Sequence, residues 1–242
     1  MTEGKQAPDG SLEIHLLGLV DFDAALALQE RLVFDLSGRT DHTGALLICE
    51  HPPIVTLGAD ASSADLLREP AELARDGIDT RWLGRGGGAC CHAPGQLALY
   101  CLLPVDRLGI TLSTFRNNLE EACIAACRDV HVPARQLAST PGVWGRAGQL
   151  AVTGIAYKNG VTFHGLFLNV ATDPSFLSVC RSSPADDPST SMQAQLLQRI
   201  PMNRVREALL RHVQNLFGYT ESHIYTGHPL LRRTSRKVCL HV

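Results

Sequence analysis

Residues 149–170 read QLAVTGIAYKNGVTFHGLFLNV. Two runs rich in apolar and β-branched residues flank Asn159-Gly160, the dipeptide best suited to a two-residue turn in which both central residues take positive φ. The stretch therefore predicts two antiparallel strands. A turn centred on Asn159-Gly160 sets Lys158 opposite Val161 and, counting back, Ile155 opposite His164. Phe163 and His164 then point to opposite faces. A lone strand histidine is more often a satisfied structural residue than a catalyst.

Working outward, Leu112, Phe115, Leu119, Cys123, Ala126, Cys127 and Val130 follow the helical period. That spacing explains Cys123 and Cys127 as core packing. Further upstream, QLALYCLLP reads as a core strand leaving a glycine loop, and DTRWLG as the strand that delivers it. ALLICE is a short buried strand, and HPPIVTLG turns at its prolines and re-enters as another. Asp21–Gly38 carries an amphipathic helix, with Asp21 or Asp23 to cap it and Gly38 to end it. Downstream, FLSVCRSSPADDPSTSM is a loop rich in Ser, Pro and Asp, and MNRVREALLRHVQNLFG is a final amphipathic helix. There is no internal repeat. Residues 1–10 read as a flexible start, 11–218 as one catalytic domain, and 219–242 as a C-terminal extension. The fold expected is α/β of the α+β type: a single domain with a mixed, largely antiparallel sheet flanked by helices.

With 45% hydrophobic and 19% charged residues in 242, the chain has material for a real core. A formal net charge of −2 gives no global attraction to nucleic acid or anionic membrane. No apolar run reaches the length of a membrane span, and the polar first ten residues hold no signal-peptide core. Eight cysteines without a C-x-x-C pair fit thiol usage in a reducing compartment, so the expected location is the cytoplasm.

The glycine loop itself is LGRGGGACCHAPGQL, residues 83–97. Gly86, Gly87 and Gly88 permit close backbone approaches, and Pro94-Gly95 adds a tight turn. A phosphate-binding P-loop is excluded because no Lys-Ser or Lys-Thr follows the glycines. The dinucleotide fingerprint fails because the loop leads into a strand. Cys90, Cys91 and His92 alternate faces on a strand and lack a second ligand pair, so no metal site is expected. Cys180 differs from the other cysteines. It lies in the polar loop beside Arg181, where a cationic neighbour and partial exposure favour a reactive thiolate.

Together these segments resemble the lipoyl(octanoyl) transferase family, the octanoyl-[acyl-carrier-protein]:protein N-octanoyltransferases, relatives of the biotin and lipoate protein ligases. RGGGACCHAPGQ is similar to the family's Arg-Gly-Gly loop running into Thr-x-His-Gly-Pro-Gly-Gln. HPPIVTLG matches its early His-Pro-Pro and Thr-Leu-Gly. GVTFHGLFLNV matches its hairpin, and Cys180 with Thr190-Ser191 matches its cysteine loop. The order and spacing agree from about Leu16 to Phe217.

The resemblance implies a biotin/lipoate protein ligase-like fold and an acyltransferase of lipoate biosynthesis. An octanoyl or lipoyl group would pass from acyl carrier protein to Cys180 as a thioester. It would then pass to a lysine of a lipoyl domain, in a 2-oxoacid dehydrogenase or the glycine cleavage H protein. Arg85, Gly86, Gly87, Gly88, His92, Gly95, Gln96, Gly154, Ile155, His164 and Gly165 would line the acyl site. No cofactor, metal, nucleic acid or membrane is implied. Arg81, Arg85, Arg135, Arg146, Lys158 and Arg181 are candidates for a basic rim facing acidic partners.

The chain departs from the family pattern at named positions. Gln149 stands where the family has its catalytic lysine, Cys90 replaces the loop threonine, Ala93 a glycine, and Arg181 the glycine after the nucleophile. Glutamine holds no proton in reserve. An unassisted thiol of pKa ~8.5 is only about 3% ionised at neutral pH. Two alternatives follow: an acyl-binding paralogue with little or no catalysis, or an ATP-dependent lipoate ligase, against which Gln149 counts.

Overall fold

The computed structural model describes residues 9–138, 140–182 and 188–231. From the N-terminus the chain forms β1 (Leu12–Leu19), α1 (Phe22–Ser37), β2 (Gly44–Glu50), β3 (Ile54–Leu57), α2 (Pro70–Arg75), β4 (Asp79–Trp82), β5 (Ala89–His92) and β6 (Gln96–Leu102). It continues with α3 (Leu112–Asp129), β7 (Arg135–Leu137), β8 (Thr140–Trp144), β9 (Gln149–Lys158), β10 (Val161–Asn169), α4 (Pro174–Leu177), α5 (Met192–Leu196), α6 (Met202–Phe217) and β11 (Ser222–Thr226).

The hairpin sits where its sequence puts it. Asn159 and Gly160 take φ of 51° and 83°, Lys158 pairs with Val161, and Ile155 pairs with His164. It occupies the middle of an eight-stranded sheet ordered β11-β1-β2-β6-β10-β9-β8-β7. The β11/β1 and β1/β2 pairs are parallel and the rest antiparallel.

Side-chain alternation on β6 explains the layering. Leu97, Leu99 and Cys101 face a core shared with α3 and α6, which bury Phe115, Leu119, Cys123, Leu209 and Val213 there. Ala98, Tyr100 and Leu102 face α1, which buries Leu28, Leu32 and Leu36. A strand covered on both faces has no polar side to show, which is why QLALYCL is apolar almost throughout. Asp21 caps α1, its carboxylate accepting from the Ala24 amide. Thr111 caps α3 in the same way, through the Thr114 amide.

Two features depart from the sequence reading. A separate three-stranded sheet, β4-β3-β5, carries the strands on either side of the glycine loop. Its cover is a small apolar cluster of Val55, Leu57, Leu73, Ile78, Ala89, Cys91, Leu177, Val179 and Cys180. The segment after Tyr219 is also not simply an extension. Ser222–Thr226 pairs in parallel with β1 as an edge strand, and its largely exposed burial pattern hides that role from periodicity. Residues 1–8 and 232–242 of the expected termini lie outside the described residues.

Candidate active site

The glycine loop rests on the hairpin. Gly86 N donates to Ile155 O (2.9 Å), and Gly87 N donates to the Asp60 carboxylate (2.8 Å). Gly87 takes φ +86°, a conformation open to glycine at no steric cost. Across the contact, a Cβ on residue 154 would stand 2.8 Å from Arg85 Nη1 and 2.9 Å from Gly86 O. Any side chain at Gly154 would therefore lift the loop from β9. Beside the contact lies a cleft of about 370 Å³ walled by Gly86, Gly87, Thr153, Ile155, Leu112 and Tyr157. That size suits a small organic ligand. A groove of about 600 Å³ adjoins it, sharing Arg116 and Pro141.

Beneath the loop runs a continuous buried polar chain. Arg85 is fully buried, and its Nη2 donates to Thr56 Oγ1 (2.8 Å), whose oxygen lies 2.8 Å from His92 Nε2. His92 Nδ1 meets Gln96 Oε1 at 2.8 Å, and Gln96 Nε2 donates to Cys91 O (2.7 Å) and Asn169 Oδ1 (2.9 Å). One assignment of protons fits each link: the arginine donates to the threonine, the threonine to Nε2, and Nδ1–H to the glutamine, while Arg85 Nε has no partner among the described residues. Burial pushes the His92 pKa well below its ordinary value, helped by His51 and Arg85. Burial likewise takes His51 down to about 4 and, with the Arg85 charge, His164 to about 3. All three imidazoles are neutral at pH 7. Among the described residues Arg85 makes no ion pair. Its cation is met by Thr56, the Gly86 carbonyl (3.1 Å) and the face of the Phe167 ring (5.9 Å).

The expected site residues divide into three groups. Arg85, Gly86, Gly87, Gly154 and Ile155 meet at the cleft, and Gly88 abuts Ser182 O just beyond Cys180. His92 and Gln96 lie in the polar chain below, with Gly95 N bonded to the Glu50 carboxylate (2.7 Å). His164 and Gly165 lie on the α1 side, where His164 N donates to Gln29 Oε1 (2.8 Å). His164 also departs from strand alternation. Its φ of +59° re-aims the ring, which stacks on Phe163 at 4.9 Å instead of facing away.

Cys180 is buried, not partly exposed (4%), because Leu177 and Val179 carry the segment into the small-sheet cluster before its polar part begins. Its backbone is fixed by a bridge to Leu66, with Arg181 N donating to Asp65 O (2.7 Å). Its Sγ lies 3.0 Å from Cys91 Sγ. Gln149 is also buried (1%), and its Oε1 has no hydrogen-bond partner among the described residues. The rim of basic residues is thinner than expected: Arg85 is interior, and Arg81 is paired with Asp23 at 3.2 Å.

Sequence reasoning gave no role to Thr56 or Asn169 and weighed Cys91 only as a metal ligand. Strand alternation carried the signal for Cys91, since Cys90 faces α1 and its neighbour must face the opposite way. Among the described residues no group of three or more His, Cys, Asp or Glu is placed to hold a metal, and no helix is long and apolar enough to cross a membrane.

Residues 21–214 match the family model of the lipoyl protein ligase A/B catalytic domain. The octanoyltransferase of Roseiflexus sp. (strain RS-1) is 34% identical over 222 residues, covering 90% of this chain and 92% of the relative. The octanoyltransferase of Syntrophotalea carbinolica is 36% identical over 207 residues, covering 85% and 94%. The solved bipartite lipoate protein ligase of Thermoplasma acidophilum aligns with a TM-score of 0.71 at 16% identity, covering 91% of this chain and 88% of that one. At that identity it bears on the fold alone.

Proposed function

The chain belongs to the lipoyl protein ligase A/B catalytic-domain family, and from that premise we propose that it is an octanoyltransferase working through a thioester on Cys180. The Cys180 thiolate attacks the thioester carbonyl of octanoyl-acyl carrier protein. A new C–S bond forms as the carrier's thiolate leaves and takes a proton. The ε-amine of a lipoyl-domain lysine then attacks the acyl-Cys180 carbonyl, the amide forms, and the cysteine sulfur is released. The cleft beside Gly86, Gly87 and Ile155 takes the acyl chain. The two carrier domains are cytoplasmic partners in this reading, and the reaction uses no ATP.

The observation that supports the proposal is that Gly88, in the loop whose Gly86 and Gly87 wall the cleft, lies against the carbonyl of Ser182, two residues after Cys180. Arg85 supplies the positive charge that Gln149 lacks. Its guanidinium stays ionised although burial lowers its pKa, and it interacts electrostatically with Cys180 and Cys90. A buried cation of this kind favours thiolate and the oxyanion that follows from it.

A second reading, an acyl-binding protein without turnover, is favoured by one observation, the neutral Gln149 at the lysine position. Intact-protein mass spectrometry after incubation with octanoyl-acyl carrier protein separates the two. The expected result is one octanoyl group on the wild type and none on Cys180→Ala, with onward transfer to a lipoyl domain in the absence of ATP. Octanoyl binding without an adduct would establish the second reading. Transfer only with ATP would establish a ligase.

A further inference from the structure

Cys91 has no part in the chemistry above, yet its sulfur is 3.0 Å from that of Cys180. Both residues sit on fixed backbone. Cys91 pairs with Val55 in the small sheet, and its carbonyl accepts from Gln96. Cys180 is held by the Leu66 bridge and by Leu67 N donating to Val179 O (3.0 Å). The two sulfurs are enclosed by Val55, Leu57, Ala89, Leu177 and Val179. A disulfide bond is about 2.05 Å long, so closing one between them needs an approach of about 1 Å shared between two side chains. Cys90, one residue away, projects to the opposite face among the residues that cover α1.

We propose that Cys91 and Cys180 are a modification site: a reversible disulfide, formed by a peroxide, that withdraws the acyl-carrying sulfur from use. The effect on activity rests on the reading of Cys180 as nucleophile; the bond itself does not. The Cys180 thiolate attacks one peroxide oxygen. An S–O bond forms, the O–O bond breaks, and the departing hydroxide takes a proton to become water, leaving a sulfenic acid. Cys91 then gives up its proton and attacks the Cys180 sulfur, forming S–S as S–O breaks and a second water leaves. The two thiols lose two electrons, and the peroxide becomes two waters. The contact with Cys180 and burial raise the pKa of the Cys91 thiol, which suits it to the resolving role. A dithiol reductant reverses the step by exchange.

The test treats reduced full-length protein with hydrogen peroxide, blocks free thiols, digests with trypsin without reductant and reads peptide masses. Peptide 86–107, containing Cys90, Cys91 and Cys101, should be joined to peptide 159–181, containing Cys180. Fragmentation should place the bond at Cys91. The joined species should vanish with dithiothreitol and in Cys91→Ser, and persist in Cys90→Ser. Cys91→Ala is the second variant should a hydroxyl disturb the apolar cluster. Octanoyl loading, followed in parallel, should be lost to peroxide and regained with dithiothreitol in the wild type. In Cys91→Ser the loss should be permanent, as Cys180 runs on to sulfinic acid. Sulfinic acid on wild-type Cys180 with no joined peptide, or a bond through Cys90, overturns the proposal. A joined peptide with octanoyl loading unimpaired leaves the disulfide standing and removes Cys180 as nucleophile.

Discussion

The polar chain under the glycine loop and the ground around Cys180 and Gln149 are neighbours that differ in how far their side chains are linked, although Arg85 Nε in the chain also has no partner among the described residues. From Arg85 through Thr56, His92 and Gln96 to Asn169, successive side chains are hydrogen-bonded at 2.8–2.9 Å. Around the expected chemistry, Gln149 Oε1 is buried with no hydrogen-bond partner among the described residues, and Cys180 Sγ meets the Cys91 thiol at 3.0 Å. Leaving buried polar groups unpaired costs about 1–3 kcal/mol each, so a fold tolerates them where a ligand or a reaction uses them. In the proposed reading, the linked chain holds the loop in place and Gln149 is the open group beside the chemistry.

The contrast breaks first at Cys180. Cys180→Ala should remove the octanoyl adduct altogether while leaving the fold intact, as read by intact mass and thermal melting. Arg85→Met, close in length but uncharged, should lower the acylation rate by about 10²- to 10³-fold, the usual loss when a fixed electrostatic donor is removed. It should also destabilise the protein, because Thr56 loses its donor. Single-turnover loading together with denaturant titration would measure both.

The buried histidines have their own signature in pH. His51 and His164 titrate at about 4 and about 3 in the folded protein, against ~6.5 in an unfolded chain. The unfolded state therefore binds more protons as pH falls below ~6.5. Stability should be fully present above that value and decline below it, by up to about 1.4 kcal/mol per pH unit for each histidine. Denaturant midpoints at pH 7 and pH 5 would measure the slope, and a flat profile would mean that these rings are not held neutral.

Two smaller effects sharpen the comparison. Gln149→Lys should raise the loading rate by up to about thirtyfold, the ceiling that ionising an unassisted free thiol sets. No gain would mean that Arg85 already meets the need. Arg181→Ala should change the rate by no more than about fivefold, the range for a partly exposed charge. A larger loss would make Arg181, and not Arg85, the cation that activates the thiol.

Much of this molecule was legible in its residues. Asn159-Gly160 fixed the hairpin register because both turn positions need positive φ, and local sterics alone decide that. The helical periods at Asp21–Gly38 and Leu112–Val130 survived because each helix covers a face of the sheet. The motif order from Arg85 to Cys180 pointed to the family, and Gln149 marked the departure from it. Other features needed the tertiary fold. The αL turn at His164 and the edge strand Ser222–Thr226 depend on contacts with Gln29 and β1, far away in the chain. The polar chain draws Thr56, Arg85, His92 and Asn169 from three separate stretches, so no local pattern predicts it. Cys91 and Cys180 are 89 residues apart. A sequence states which faces are apolar and where the chain must turn, because those follow from neighbours along the backbone. Which two sulfurs come to share one cluster is decided only when distant strands pair and close it.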